Sequence, residues 1–263
     1  MVSAKERKRM KRKDRKAMEK RATVLCVIPA RYASTRLPGK PLKDIQGKPM
    51  VVRVYERAKK AQRVADVIVA TDDHRIADAV KSHGGKAVMT RVDHPTGTDR
   101  LAEVAKQFPD VDVILNVQGD EPLIDPAVID ALASAFDGDA DLQMATACTE
   151  IRCRDAQDDP NNVKVVMDQK GYALYFSRSL IPYPRKAGGH VFKHIGIYAY
   201  RRGFLLAYAK MEPTPLEQAE SLEQLRALEN GCKIKVIETD HEFVGVDTAE
   251  DLAKVNAIYA AMK

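Results

Sequence analysis

No C-x-x-C pair occurs in the chain, and its four cysteines, Cys26, Cys148, Cys153 and Cys232, are widely scattered. That spacing supports neither a zinc site nor a disulfide framework, so the thiols read as reduced core filler. No apolar stretch approaches the roughly 20 residues that span a bilayer, and the first residues hold no apolar segment of the signal-peptide kind. A cytoplasmic protein without a membrane span is expected. Tryptophan is absent and aromatic residues make up 6%, yet hydrophobic residues reach 45% of the 263 positions. A sizeable core is therefore feasible, and a single α/β unit of this size is common.

Net charge is unevenly placed. Residues 1–22 contain eleven Lys or Arg against Glu6, Asp14 and Glu19, a net of +8, whereas the whole chain is +6, which leaves −2 for residues 23–263. The predicted organisation is a basic N-terminal extension over 1–22 and one domain over 23–263. Beyond Val2, Met10 and Met18 the extension has little to bury, so it reads as disordered or as a fraying helix. Its functional reading is salt-sensitive contact with nucleic acid or an anionic surface.

From Thr23 onward short apolar runs alternate with helical patterns. Residues 24–28, 67–70 and 111–117 read as buried strands, and residues 49–58 and 74–82 as helices, the first with proline in its opening turn. This βαβα rhythm predicts an α/β fold with a mostly parallel sheet flanked by helices. Runs at 144–147, 163–167, 173–176 and 195–200 predict a mixed extension of the sheet, or a smaller β-rich subdomain. Thr214-Pro215-Leu216-Glu217 is a capping box, with Gly231 placed as the stop of that helix. Thr248 caps the last helix in the same way, so Asp247 is expected between a short strand and that helix.

Chemistry concentrates in the stretch Val27-Ile28-Pro29-Ala30-Arg31-Tyr32-Ala33-Ser34-Thr35-Arg36-Leu37-Pro38-Gly39-Lys40-Pro41-Leu42. A buried strand that empties into a loop with three cations suits a polyphosphate, because ligands of open α/β sheets sit beyond the strand ends. Two acids, Asp120 after the strand that contains Asn116 and Asp247 in Val244-Gly245-Val246-Asp247, could hold Mg²⁺, which takes hard oxygen ligands and few protein carboxylates. Each acid alone would pass for a turn or cap residue. Their meaning depends on whether the fold brings them together.

The first loop, Thr96-Gly97-Thr98-Asp99-Arg100, Asn116-Val117-Gln118-Gly119-Asp120-Glu121-Pro122, Tyr175-Phe176-Ser177-Arg178, His194-Ile195-Gly196-Ile197-Tyr198, Leu222-Glu223-Gln224-Leu225-Arg226 and Gly245-Val246-Asp247-Thr248 follow one another in a recognisable order. From about Val24 to its end, the chain resembles the 3-deoxy-manno-octulosonate cytidylyltransferases, or CMP-Kdo synthetases. The resemblance implies a glycosyltransferase-A-like fold of the nucleotide-diphospho-sugar transferase type, with the β-rich subdomain serving sugar binding and dimerisation. It also implies a homodimer that uses CTP, a 2-keto-3-deoxy sugar acid and Mg²⁺ for lipopolysaccharide synthesis.

By motif, the resemblance puts Arg31, Ser34, Thr35, Arg36 and Lys40 at the triphosphate and the Thr96–Arg100 loop, with Thr96, Gly97, Thr98 and Asp99, at the nucleoside. Asp120 and Asp247 would hold magnesium and, with Lys40, form the catalytic set. Gln118, Arg178, His194, Tyr198, Glu223 and Gln224 would line the sugar pocket, Arg178 facing the carboxylate. Without the resemblance, His194 would pass for a core histidine, Tyr198 for packing, and Glu223 and Gln224 for a solvated helix face. An 8-amino form of that sugar acid or another 2-keto sugar acid is the rival acceptor, and a nucleic-acid-binding protein that uses the basic extension the rival from another class.

Overall fold

The computed structural model describes residues 21–33, 37–186, 188–241 and 243–262. Ser34, Thr35 and Arg36 of the predicted phosphate loop, and residues 1–20 of the extension, lie outside the described residues.

The strands are β1 (Val24–Ala30), β2 (Asp44–Ile45), β3 (Lys48–Pro49), β4 (Asp66–Thr71), β5 (Ala87–Met89), β6 (Val113–Asn116), β7 (Met144–Glu150), β8 (Lys164–Met167), β9 (Ala173–Ser177), β10 (Phe192–Arg201) and β11 (Ile234–Glu238). The helices are α1 (Met50–Ala58), α2 (His74–Ser82), α3 (Gly97–Gln107), α4 (Pro126–Ser134), α5 (Arg154–Asp158), α6 (Arg202–Tyr208), α7 (Pro215–Glu220), α8 (Gln224–Glu229) and α9 (Ala249–Ala261). The main sheet runs β11-β7-β10-β6-β1-β4-β5, with the β8–β9 hairpin paired to β10. Strands β6, β1, β4 and β5 are mutually parallel, as are β7 and β11, while β10 runs antiparallel between β6 and β7. The expected mostly parallel mixed sheet is the one observed.

The alternation in β1 shows why both faces are covered. Val24, Cys26, Ile28 and Ala30 join one buried cluster, with Val51, Val54 and Val128, whereas Leu25 and Val27 join the other, with Leu101 and Leu205. A strand that is apolar on both faces needs helices on both, which parallel crossovers supply. A third, small cluster of Ile45, Met50, Leu123, Val246 and Val255 fastens α9 beside the loop that leaves β6.

Two expectations change. The segment expected to form one helix from Pro215 toward Gly231 is broken: Ser221 adopts φ 52 and ψ 49, separating α7 from α8. The residues before Asp247 form a loop rather than a short strand. Their backbone is occupied by the neighbouring loop, since Val246 N–H donates to the Asp120 carbonyl at 2.9 Å.

Candidate active site

The strands β1 and β6 deliver their outgoing loops to one place. Gly119 makes this possible, because a Cβ there would lie 2.7 Å from the Pro29 carbonyl oxygen. Beyond β1 the chain turns through Gly39 (φ 66) into a single 3-10 turn at Lys40–Leu42. This turn points the Lys40 ammonium at two carboxylates from distant parts of the chain: Asp120 Oδ2 at 2.7 Å and Asp247 Oδ1 at 3.0 Å. Asp247 is held in turn by its own N–H, which donates to the capping carboxylate of Asp251 at 3.0 Å. Burial disfavours the charge on Lys40, but Asp120 and Asp247 together outweigh it and hold the ammonium above its ordinary value.

Beside this trio lies Glu121, a residue the motif reading quoted without a role. Its Oε2 is buried and unpartnered. Burial, then the neighbouring Asp120, pushes its carboxyl up to about 7, with Lys193 opposing. Its position directly after Asp120 was the available signal.

Arg31 is turned toward the 94–96 segment, donating from Nη2 to the carbonyls of His94 at 2.8 Å and Thr96 at 2.9 Å. It thereby ties the cationic loop to the start of α3. Thr96 and Asp99 form the reciprocal capping box of that helix, which leaves Gly97 and Thr98 as the first-turn residues facing the site. Arg100, the last residue of the loop expected at the nucleoside, is fully buried, pairing with Asp72 at 2.8 Å and bonding Thr90, and so anchors α3 against the end of β4.

A cavity of 170 Å³ opens next to Pro29 and is lined by Thr98, Asn116, Gln118, Tyr198, Glu223 and Gln224 among others. Four of the six predicted sugar-side residues are therefore together. Gln118 is oriented by a bulge in β10, where Ile195 pairs with Ala147 and Tyr198 with Thr146, so that Gly196 and Ile197 have no partners across the ladder. Gln118 Nε2 donates to the Gly196 carbonyl at 3.0 Å. The buried Thr146 hydroxyl supports the bulge, donating toward the carbonyls of Ile195 at 3.1 Å and Ile197 at 2.8 Å. Bulges of this kind re-aim side chains at functional sites.

His194 stands behind the cavity. Its Nε2 lies 3.0 Å from Thr146 Oγ1, and because that hydroxyl spends its proton on the bulge carbonyls, the ring donates to it as a neutral imidazole. Burial pushes His194 down to about 3. Its ring packs edge-on against Phe176 and tilted against Tyr198. Arg178 lies outside the cavity lining: its guanidinium donates to the carbonyls of Glu220 at 2.8 Å, Pro160 at 3.2 Å and Ser221 at 3.5 Å. Glu223 is half-buried, and burial raises its carboxyl against the opposing Thr98 hydrogen bond and the charge of Arg226.

Comparison with known proteins agrees with this geometry. The family model described as Cytidylyltransferase matches residues 25–234. The 3-deoxy-manno-octulosonate cytidylyltransferase of Geobacter sulfurreducens is 54% identical over 244 residues, covering 88% of this chain and 97% of that protein. Its counterpart in Geotalea daltonii is 57% identical over 244 residues, covering 88% and 96%. A solved structure of CMP:2-keto-3-deoxy-manno-octonic acid synthetase complexed with CTP superposes with a TM-score of 0.88 at 49% identity, over 92% of this chain and 100% of that one. The α/β sheet, the convergence at the ends of β1 and β6 and these likenesses agree: the chain belongs to the 3-deoxy-manno-octulosonate cytidylyltransferase family.

Proposed function

We propose that this nucleotidyltransferase moves CMP from CTP to the 2-hydroxyl of 3-deoxy-manno-octulosonate (Kdo), releasing pyrophosphate and supplying CMP-Kdo for lipopolysaccharide synthesis. The observation that carries the reading is the meeting of Lys40, Asp120 and Asp247 across 80 and 207 positions of sequence. Joining two polyanions is slow because charge gathers on the transferring phosphate, so positioning and electrostatic stabilisation dominate. Lys40 supplies a fixed positive charge at that point. Arg31, Ser34, Thr35 and Arg36 complete the triphosphate cradle, and Thr96, Gly97, Thr98 and Asp99 set the nucleoside against the first turn of α3.

Asp120 and Asp247 suit Mg²⁺. Among the described residues no group of three or more His, Cys, Asp or Glu is gathered as in an all-protein metal cage. A pair of carboxylates, with the unpartnered Glu121 Oε2 beside them, is the oxygen set this ion takes when phosphates and water fill its other positions. Bound there, Mg²⁺ would offset charge on the phosphates.

Gln118, His194, Tyr198, Glu223 and Gln224 form the sugar side, His194 acting through the ring of Tyr198. Arg178 keeps its Nε anchor on Glu220 and turns its two longer-bonded nitrogens to the carboxylate of the acid, a planar match that a lysine would not reproduce. The exposed Leu174 and Tyr183, on and after the β8–β9 hairpin, favour that hairpin as the contact of a homodimer. Among the described residues no helix is long and apolar enough to cross a membrane, and CTP chemistry with free thiols favours the cytoplasm.

The test is CTP-dependent pyrophosphate release with a panel of 2-keto-3-deoxy sugar acids that includes the 8-amino form. Kdo is expected to turn over fastest, and Asp120→Ala and Asp247→Ala each to abolish nearly all turnover while the protein stays folded. Release with none of the acids would overturn the reading; substantial activity in either variant would remove that residue from the metal site.

A further inference from the structure

Three polar side-chain atoms of residues around the 170 Å³ cavity are buried and unpartnered: Oδ1 of Asn116, Oε1 of Glu223 and Nε2 of Gln224. Asn116 is 6% exposed and Gln224 4%. A buried amide group without a partner costs about 1–3 kcal/mol, and native structures keep few of them. Three around one cavity mark a place where a ligand supplies the missing bonds.

Asn116 is the unexpected member. It ends a strand whose preceding residues, Val113, Ile114 and Leu115, are all fully buried and apolar, and it is flanked in register by Val27 of β1 and Tyr198 of β10. Nothing in the strand's packing requires an amide there. The unpartnered set is two acceptor oxygens and one donor nitrogen, which is the wrong set for a phosphate, since a phosphate offers only acceptors at the Asn116 and Glu223 oxygens. A hydroxyl fits, because it donates one hydrogen bond and accepts others.

We propose that Asn116 is a specificity-determining residue of the acceptor site, its Oδ1 accepting the proton of a sugar hydroxyl in the cavity where Gln224 Nε2 donates. The proposal rests on the sugar-acid reading above. A site built to bond a hydroxyl discriminates strongly against the analogue that lacks it, because its own buried group is then left unpaired.

The experiment compares the full-length wild type, Asn116→Leu and Asn116→Asp in pyrophosphate release from CTP with Kdo and with its monodeoxy analogues. Asn116→Leu should lower kcat/KM for Kdo by about 10- to 100-fold and leave the KM for CTP unchanged. For one monodeoxy analogue, wild type and the Leu variant should work equally well. Asn116→Asp, which keeps an acceptor oxygen, should still discriminate against that analogue. An unchanged kcat/KM in Asn116→Leu, or an equal loss against Kdo and every analogue, overturns the proposal. Should the Leu variant fail to bind CTP, the Asp variant decides, and lost discrimination there overturns it. A wild type inactive on every sugar acid fails the functional reading itself, before any substitution is made.

Discussion

Lys40 shows how much one side chain carries in this site. Its ammonium is the shared partner of both candidate metal acids, and removing a preorganised charge aimed at the reacting phosphate costs on the order of 10²-fold or more. Lys40→Ala should lower kcat by that factor in steady-state assays, with far-ultraviolet circular dichroism unchanged. His194 leads to a prediction about pH. With the folded ring at about 3 and an imidazole in the unfolded chain at its ordinary 6.5, the unfolded chain binds the extra proton between those limits, so stability is full above 6.5 and falls as the solution is acidified through that window. The melting temperature of the wild type should therefore drop more steeply from pH 6.5 to pH 4 than that of His194→Asn. Equal slopes would show that His194 is not held neutral by the fold.

Elements place these residues, and here much of the site was illegible in advance. The bulge in β10 is marked in advance only by Gly196, a lone glycine inside an apolar strand; what braces it, the Thr146 hydroxyl that the neighbouring strand offers to two carbonyls, is not legible there. Thr146→Val should cost about 1–3 kcal/mol in denaturant unfolding, since it strands those carbonyls and the His194 N–H. It should also raise the KM for the sugar acid, and Thr146→Ser should restore both. The break at Ser221 was equally hidden, because serine gives no signal of a left-handed turn where glycine would. Across the break the buried Arg226 guanidinium binds Glu217 through two nitrogens, Nε at 2.8 Å, folding α8 back on α7. That fold-back delivers Glu223 and Gln224 to the cavity instead of leaving them on a solvated face.

For the molecule as a whole, the division of charge matters most. Ala22 N–H donates to Asp137 at 3.0 Å, which anchors the chain just ahead of β1, and removing residues 1–20 tests the predicted division between a basic extension and one domain. Their deletion should leave kcat and both KM values unchanged, while any affinity for nucleic acid or anionic vesicles disappears. Lost turnover on deletion would instead make the extension part of the catalytic unit.

Most of the strands and helices expected above, the parallel core of the sheet and the ordered motifs were written in local pattern, the strand before Asp247 and the unbroken helix past Ser221 excepted, because period-2 and period-3.6 apolar spacing and capping boxes depend on near neighbours alone. So were the cationic loop and the two acids, as residue types. What only the tertiary structure decided is which groups meet: Lys40 with Asp120 and Asp247, Gln118 with the bulge, Arg178 with backbone carbonyls rather than the cavity, and Asn116 with an unfilled bond. The reason is physical. Those contacts join segments far apart in sequence, and their strength comes from distances and burial that exist only once the sheet has closed around them.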